Sequence, residues 1–286
     1  MAAAIPTEPL PLPGGREGAG VRVHPLRTAN MLAPPAFLER PGGPGGLLRG
    51  LGVHIPRSRW ITLPIPCFLV EHPGAGPFLV DTGLHASVAS DPAENLGRVA
   101  KALYSIDMEP TDAAPAQVRE RGVDPSAIEL VVMTHLHYDH ASGATQFPHA
   151  TFVVDRREWD AANRGGMLQG YHRPHLDPGL RWRAIDIGDE ADLFGDGSVR
   201  LLHTPGHTKG HLSLLLALEG GGRLLLTADA AYAQQTLDER LVPLFVDDRD
   251  DYLASLDRLI DLRRDADHVV CGHDPDGLRR AGGVFD

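Results

Sequence analysis

Residues 133–143 read MTHLHYDHASG and place His135, His137, Asp139 and His140 within six positions at the end of the apolar run LVVM. Imidazole nitrogens and carboxylate oxygens are the donors a divalent cation takes where thiolates are lacking. Side chains two apart on extended backbone point the same way, so His135 and His137 can share one ion. Asp139 and His140, on the turn that follows, can reach a second. A lone histidine is usually a hydrogen-bonded loop or core residue, but the spacing H-x-H-x-D-H gathers four donors at one strand end.

Three further positions share that context. His207 lies in HTPGHTKGH after the apolar segment VRLLH, Asp229 follows RLLLTA, and His273 follows HVVCG. Side chains at the carboxyl ends of neighbouring strands converge on one edge of a sheet, so residues far apart in the chain can meet there. Asp229 is the carboxylate this group adds, and its two oxygens can bridge two ions. Two adjacent cations bring the pKa of a bound water from ~16 toward ~7 and stabilise a departing oxygen. Such a pair of ions would suit hydrolysis.

The elements that must position these groups are legible as apolar runs. ITLPIPCFLVEH and PFLVDTG read as two buried strands joined by the turn HPGAG, with Asp81 just past a strand end. Asp91-Pro92-Ala93-Glu94 opens a helix whose Leu96, Val99, Ala100 and Leu103 recur at helical spacing. A second helix is predicted over 115–121, stopped by Gly122, before the strand IELVVM. TFVVD is a strand, and Asp155 with Glu158 three positions on starts a helix. Residues 163–183, rich in Gly, Pro, His and aromatics, read as a long loop able to overhang a site. VRLLH, LSLLLAL, RLLLT and HVVC are further strands, and a helix over about 249–264 carries the stripe Leu253, Leu256, Leu259 and Ile260. Mixed strands and helices in both halves give an α/β or α+β class.

With 286 residues and 42% hydrophobic content the chain can build a substantial core. Residues 1–50 read as a Pro/Gly-rich, partly flexible N-terminal extension, with the core starting near Trp60, and 51–286 as a single domain. A net charge of −11 argues against nucleic-acid or anionic-membrane partners and leaves small uncharged substrates. The two cysteines, Cys67 and Cys271, make no disulfide framework and no thiolate cage, and are expected to be small buried residues. No leader-type or membrane-spanning run is seen, so a soluble cytoplasmic protein is expected.

The ordered set H-x-H-x-D-H, His, Asp, His, with LVDTG at 79–83 and TPGHTKGH at 204–211, resembles the metallo-β-lactamase superfamily over roughly residues 60–280. The resemblance implies the αβ/βα sandwich, two mixed sheets flanked by helices. It puts His135, His137 and His207 on one metal, Asp139, His140 and His273 on the other, and Asp229 between them. Two divalent ions are implied, zinc first, with iron, manganese and cobalt also suited to all-N/O donors. Asp81 would orient ligands, and His211 would be structural because both ligand sets are already full.

Within that superfamily, LLTADAAYAQQ, with Tyr232 three residues after Asp229, and GHDPDG look most like the N-acyl homoserine lactone lactonases. That likeness implies a small-molecule lactone as substrate, Tyr232 donating to its carbonyl, and Asp139 relaying a proton to the leaving ring oxygen. That likeness also implies a monomer or homodimer. Tyr138 stands where Phe or Leu is more usual, and Ser142 replaces a small glycine. A pyridoxolactone-like ring would use the same site. A glyoxalase II-like thiolesterase shares H-x-H-x-D-H and GHTxGH, but normally carries a basic C-terminal helical region.

Overall fold

The computed structural model describes residues 4–43, 45–103, 105–280 and 283–286, apart from the side chains at 47, 99, 100, 102, 103, 279 and 280. Among the described residues, one sheet has seven strands: β1 (Arg22–Ala33), β2 (Ile61–His72), β3 (Gly76–Val80), β4 (Ser105–Asp107), β5 (Leu130–Val132), β6 (Thr151–Asp155) and β7 (Arg181–Ile185). Their order is β4-β1-β2-β3-β5-β6-β7, antiparallel through β3 and parallel from β3 to β7. The other sheet has five: β8 (Glu190–Asp192), β9 (Val199–His203), β10 (Leu212–Ala217), β11 (Arg223–Ala228) and β12 (His268–Cys271), in the order β12-β11-β10-β9-β8. Only the β11/β12 pair of that sheet is parallel.

Alternating side chains explain the layers. Val23, Phe68, Val70, Phe78, Val80, Val132 and Val153 of the first sheet meet Leu201, Leu212, Leu214, Leu216, Leu224, Leu226 and Val270 of the second in one buried cluster. The intervening Leu26, Cys67, Leu69, Leu79 and Val131 face outward onto Val118 of α3 (Ala114–Glu120) and Trp159 of α5 (Arg156–Arg164). On the far side, Leu202, Leu215 and Leu225 pack under Leu237 of α6 (Gln234–Glu239) and Tyr252, Leu256 and Leu259 of α7 (Arg249–Leu262). Because both faces of each sheet are covered, the strands read as continuous apolar runs. This is the expected sandwich of two mixed sheets between helices. Four shorter or kinked helices complete the order: α1 (Gly46–Gly50), α2 (Pro92–Leu103), α4 (Tyr138–Ala141) and α8 (Pro275–Arg280).

The N-terminal segment departs from expectation. β1 is a twelve-residue strand lying between β4 and β2, with Val23, Leu26, Met31 and Ala33 buried, so the core begins before Trp60 and residues 1–50 are not an extension. Earlier still, Glu8 N donates to Ala184 O (2.8 Å) and Leu12 N to Leu193 O (2.7 Å). Pro25 and a bulge between Arg27 and Ala29 break the two-residue period that would have revealed the strand. Residues 163–183 are likewise only partly a loop, since two 3-10 turns are followed by β7 from Arg181. In α2, Gly97 at φ 83° kinks the predicted helix. Leu96 is buried, whereas the predicted stripe positions 99, 100 and 103 lie outside the described side chains.

Candidate metal centre

β5 ends at Val132, the chain bends at Thr134, and His137, itself extended at φ −65° and ψ 155°, caps α4. His135 and His137 therefore project from the short link between β5 and α4, and Asp139 and His140 from α4 itself. Leu212 N donates to Thr134 O (2.9 Å), which ties the start of β10 to this segment and joins the two sheets beside the site. His207 follows β9, Asp229 follows β11 and His273 follows β12. The seven residues thus come from strand ends of both sheets, not from the edge of one sheet as their context alone implied. The sandwich brings the two edges together.

All seven predicted donors meet in two groups, His135 with His137 and His207, and Asp139 with His140, Asp229 and His273, the donor atoms in each group lying within 4.8 Å of one another. His137 Nδ1 and His207 Nε2 are 3.0 Å apart, and His207 Nε2 is 3.4 Å from Asp229 Oδ2. Asp229 Oδ1 is 3.2 Å from His140 Nε2, and its Oδ2 is 3.2 Å from His273 Nε2. Two donors on one tetrahedral zinc stand about 3.3 Å apart, given bonds near 2.0–2.1 Å. The spacing fits. His135 Nε2, His140 Nε2 and Asp229 Oδ1 are buried and make no hydrogen bond, as donors aimed at a cation would be. The arrangement fits two metal ions, and the Asp229 carboxylate lies 3.4 Å or less from a histidine of each group.

The two groups differ electrostatically. Burial, then the neighbouring imidazoles, hold His135 and His207 well below the usual histidine range, and burial brings His137 down to about 4. These rings are neutral near pH 7, the form that binds a cation. Burial also acts against a charge on His140 and His273, but Asp229, with Asp81 at His140 and Asp139 at both, outweighs it and raises both. Asp229 is held well below the carboxylate range: burial opposes this, and His273 and His140 prevail.

Buried groups behind the donors fix their orientation. Asp81 accepts from Thr134 N (2.8 Å) and Thr134 Oγ1 (2.7 Å) and pairs with His140 Nδ1 at 2.8 Å. His273 Nδ1 donates to Pro64 O at 2.8 Å. His211 Nε2 accepts from Asp229 N (3.1 Å) while its Nδ1 meets Thr204 Oγ1 (2.9 Å), so both ring nitrogens are used in holding Asp229. Asp81 at φ 59° and Ala228, the residue before Asp229, at φ 43° are left-handed, so the Asp81 and Asp229 carboxylates are set at or directly after turns in a sparsely populated conformation. His137 is clasped by residues 169–171: Tyr138 N donates to Gly170 O (3.0 Å), and the Tyr171 ring lies 5.0 Å from the His137 ring. Gly170, at φ 82°, admits no side chain, because a Cβ there would sit 2.7 Å from His137 Cδ2.

Above the donors lies a cavity of about 470 Å³ whose floor includes His137, Asp139, His207, Asp229 and His273. Tyr232 is 4% exposed, its ring 5.7 Å from His207, 5.1 Å from His273 and stacked on Phe37 at 6.4 Å. Phe37, Met167, Leu168, Leu244, Phe245 and Val246 form an apolar wall, and Arg164, Lys209 and Asp247 stand on the exposed rim. The sequence reading missed Phe37, which lay in the supposed extension, and Glu158, which it took for a helix-start residue. It also missed the 241–246 segment, which carries no periodic signal.

Residues 60–273 match the metallo-beta-lactamase superfamily. The chain belongs to that superfamily. Among curated relatives, it is 38% identical over 233 residues to the N-acyl homoserine lactonase AttM of Azorhizobium caulinodans, covering 78% of this chain and 88% of the relative. It is 33% identical over 215 residues to an N-acyl homoserine lactonase of Bacillus sp., covering 75% and 82%. Among solved structures, it superposes with a TM-score of 0.74 and 25% identity on an N-acyl homoserine lactone hydrolase holding N-hexanoyl-L-homoserine at its catalytic metal centre, covering 94% of this chain and 97% of that one. This superfamily member has no helix, among its described residues, long and apolar enough to cross a membrane.

Proposed function

We propose that this protein opens the ring ester of N-acyl homoserine lactones at a dinuclear zinc site. What carries the reading is the juxtaposition of two buried donor groups, Tyr232 and a one-sided apolar wall around a single cavity. His135, His137 and His207 would hold one ion, and Asp139, His140 and His273 the other, with Asp229 between. Bound there, the ions supply a water acidified toward neutral pH and Lewis-acid stabilisation of the ester oxygens.

The chain's own residues do the rest. Tyr232, wedged between the rings of His207 and His273, donates its hydroxyl to the lactone carbonyl, where negative charge develops. Asp139, on the cavity floor, takes the proton that the attacking water gives up and passes it to the ring oxygen as the ester bond breaks. Phe37, Met167, Leu244 and Phe245 take the acyl chain along the apolar wall and exclude water from it. Cys67 and Cys271 are unpaired and buried, which suits a reducing cytoplasm.

The test presents the metal-replete protein with butanoyl, hexanoyl and decanoyl homoserine lactones, a pyridoxolactone-type ring and S-lactoylglutathione, following acid release in weak buffer. Acyl lactones should be the best substrates, with kcat/KM rising with chain length and the rise reduced in Phe37→Ala. Preference for the thioester or the other ring would overturn the assignment.

A further inference from the structure

Glu158 is a fully buried carboxylate that the reaction above does not use. Its position three residues after the helix cap Asp155 marks it as a residue for capping α5, and such a residue accepts from the backbone N–H of its own cap residue. Glu158 turns away from it. Oε1 accepts from Leu136 N (3.0 Å) and Tyr171 Oη (3.1 Å), and Oε2 from Gly210 N (3.1 Å). All three donors lie outside α5, and each belongs to a segment that carries or packs on a histidine of the same group. Leu136 stands between His135 and His137, the Tyr171 ring packs on His137 at 5.0 Å, and Gly210 is in the turn that carries His207. The approach of α5 to that turn requires glycine, because a Cβ on residue 210 would fall 2.1 Å from Glu158 N. Burying a carboxylate is costly unless its acceptors are filled, and here the donors come from the three segments that build one half of the site.

We infer that Glu158 is the positioning residue of the three-histidine half, locking the His135–His137 segment, the Tyr171 clasp and the His207 turn into one frame. Asp81 does the corresponding work beside His140. The inference depends on the seven donors binding metal and not on which substrate the centre opens. It predicts selectivity: removing the carboxylate loosens one ion and spares the other.

Glu158→Gln keeps the volume but must turn an amide N–H₂ toward Leu136 N or Gly210 N. The full-length protein and this variant are loaded with two equivalents of Zn²⁺, counted by plasma emission, and the ions are then drawn off by excess chromogenic chelator. In Glu158→Gln one equivalent should leave about 10- to 100-fold faster than from the parent, with the second at the parent rate. In a His207→Ala background, where the three-histidine half is already disabled, Glu158→Gln should leave release of the remaining equivalent unchanged. Tyr171→Phe, which removes one donor to Oε1, should speed the same single equivalent by a smaller factor, and it decides the matter if Glu158→Gln does not fold. Parent-like release of both ions, or equal acceleration of both, would overturn the assignment. Because the readout counts metal, failure to open lactones would leave this result standing.

Discussion

Replacing Asp81 by Asn isolates the contribution of one buried charge to the centre. Asn occupies nearly the same volume and tolerates the left-handed backbone at φ 59°, so the turn itself survives. The hydrogen bonding does not. Asp81 takes Thr134 N on Oδ1, and both Thr134 Oγ1 and His140 Nδ1 on Oδ2. If the new amide nitrogen faces Thr134 N, two donors confront each other in a site 3% exposed. If it faces His140, the imidazole must present a lone pair from Nδ1 and carry its proton on Nε2, the atom that points at Asp229 Oδ1. Either placement leaves a buried polar group mispaired, at a cost of about 1–3 kcal/mol, which corresponds to about a 10- to 100-fold loss of metal affinity. Competition against a graded series of chelators measures that affinity directly, with circular dichroism to verify the fold. Parent-like affinity in Asp81→Asn would refute the argument that this carboxylate fixes the ligating tautomer of His140.

Tyr232→Phe should lower kcat about 10²-fold or more with both metals retained, as loss of a donor to a developing oxyanion does, and steady-state kinetics beside a metal count would show it. Removal of residues 1–33 should abolish soluble expression, because it deletes β1 from between β2 and β4; a soluble, metal-binding fragment would contradict that packing. His175, with its Nε2 at 3.0 Å from Asn95 O, is lowered to about 3, chiefly by burial and then by His172. The unfolded chain therefore binds a proton near pH 6.5 that the folded chain refuses until about pH 3, so stability falls as pH drops through this window, by up to about 1.4 kcal/mol per unit. His175→Gln should flatten that slope in chemical denaturation of the metal-free protein between pH 6.5 and 4.

The clustered His and Asp residues were legible in the sequence because they follow, within a few residues, strands that announce themselves as apolar runs, and strand ends are where open sheets gather side chains. What positions them was less so. Glu158 acts through partners 22 and 52 residues away, a non-local relation that no period encodes. β1 was hidden by Pro25 and its bulge, and with it Phe37, the aromatic that stacks on Tyr232. β7 follows a Gly/Pro-rich stretch whose composition outweighed the short alternation in RWRAI. Ala228 gives no sign of its φ of 43°, because that conformation is imposed by the register shift between Leu226 and Ala228 where β11 pairs with β12.

The most direct test titrates metal-free protein with Zn²⁺ while acid release from N-hexanoyl homoserine lactone is followed in weak buffer. Turnover should rise to its full value only as the second equivalent binds, and Asp229→Ala should abolish it. Two bound equivalents with no opening of the lactone, or full turnover in Asp229→Ala, would contradict the account.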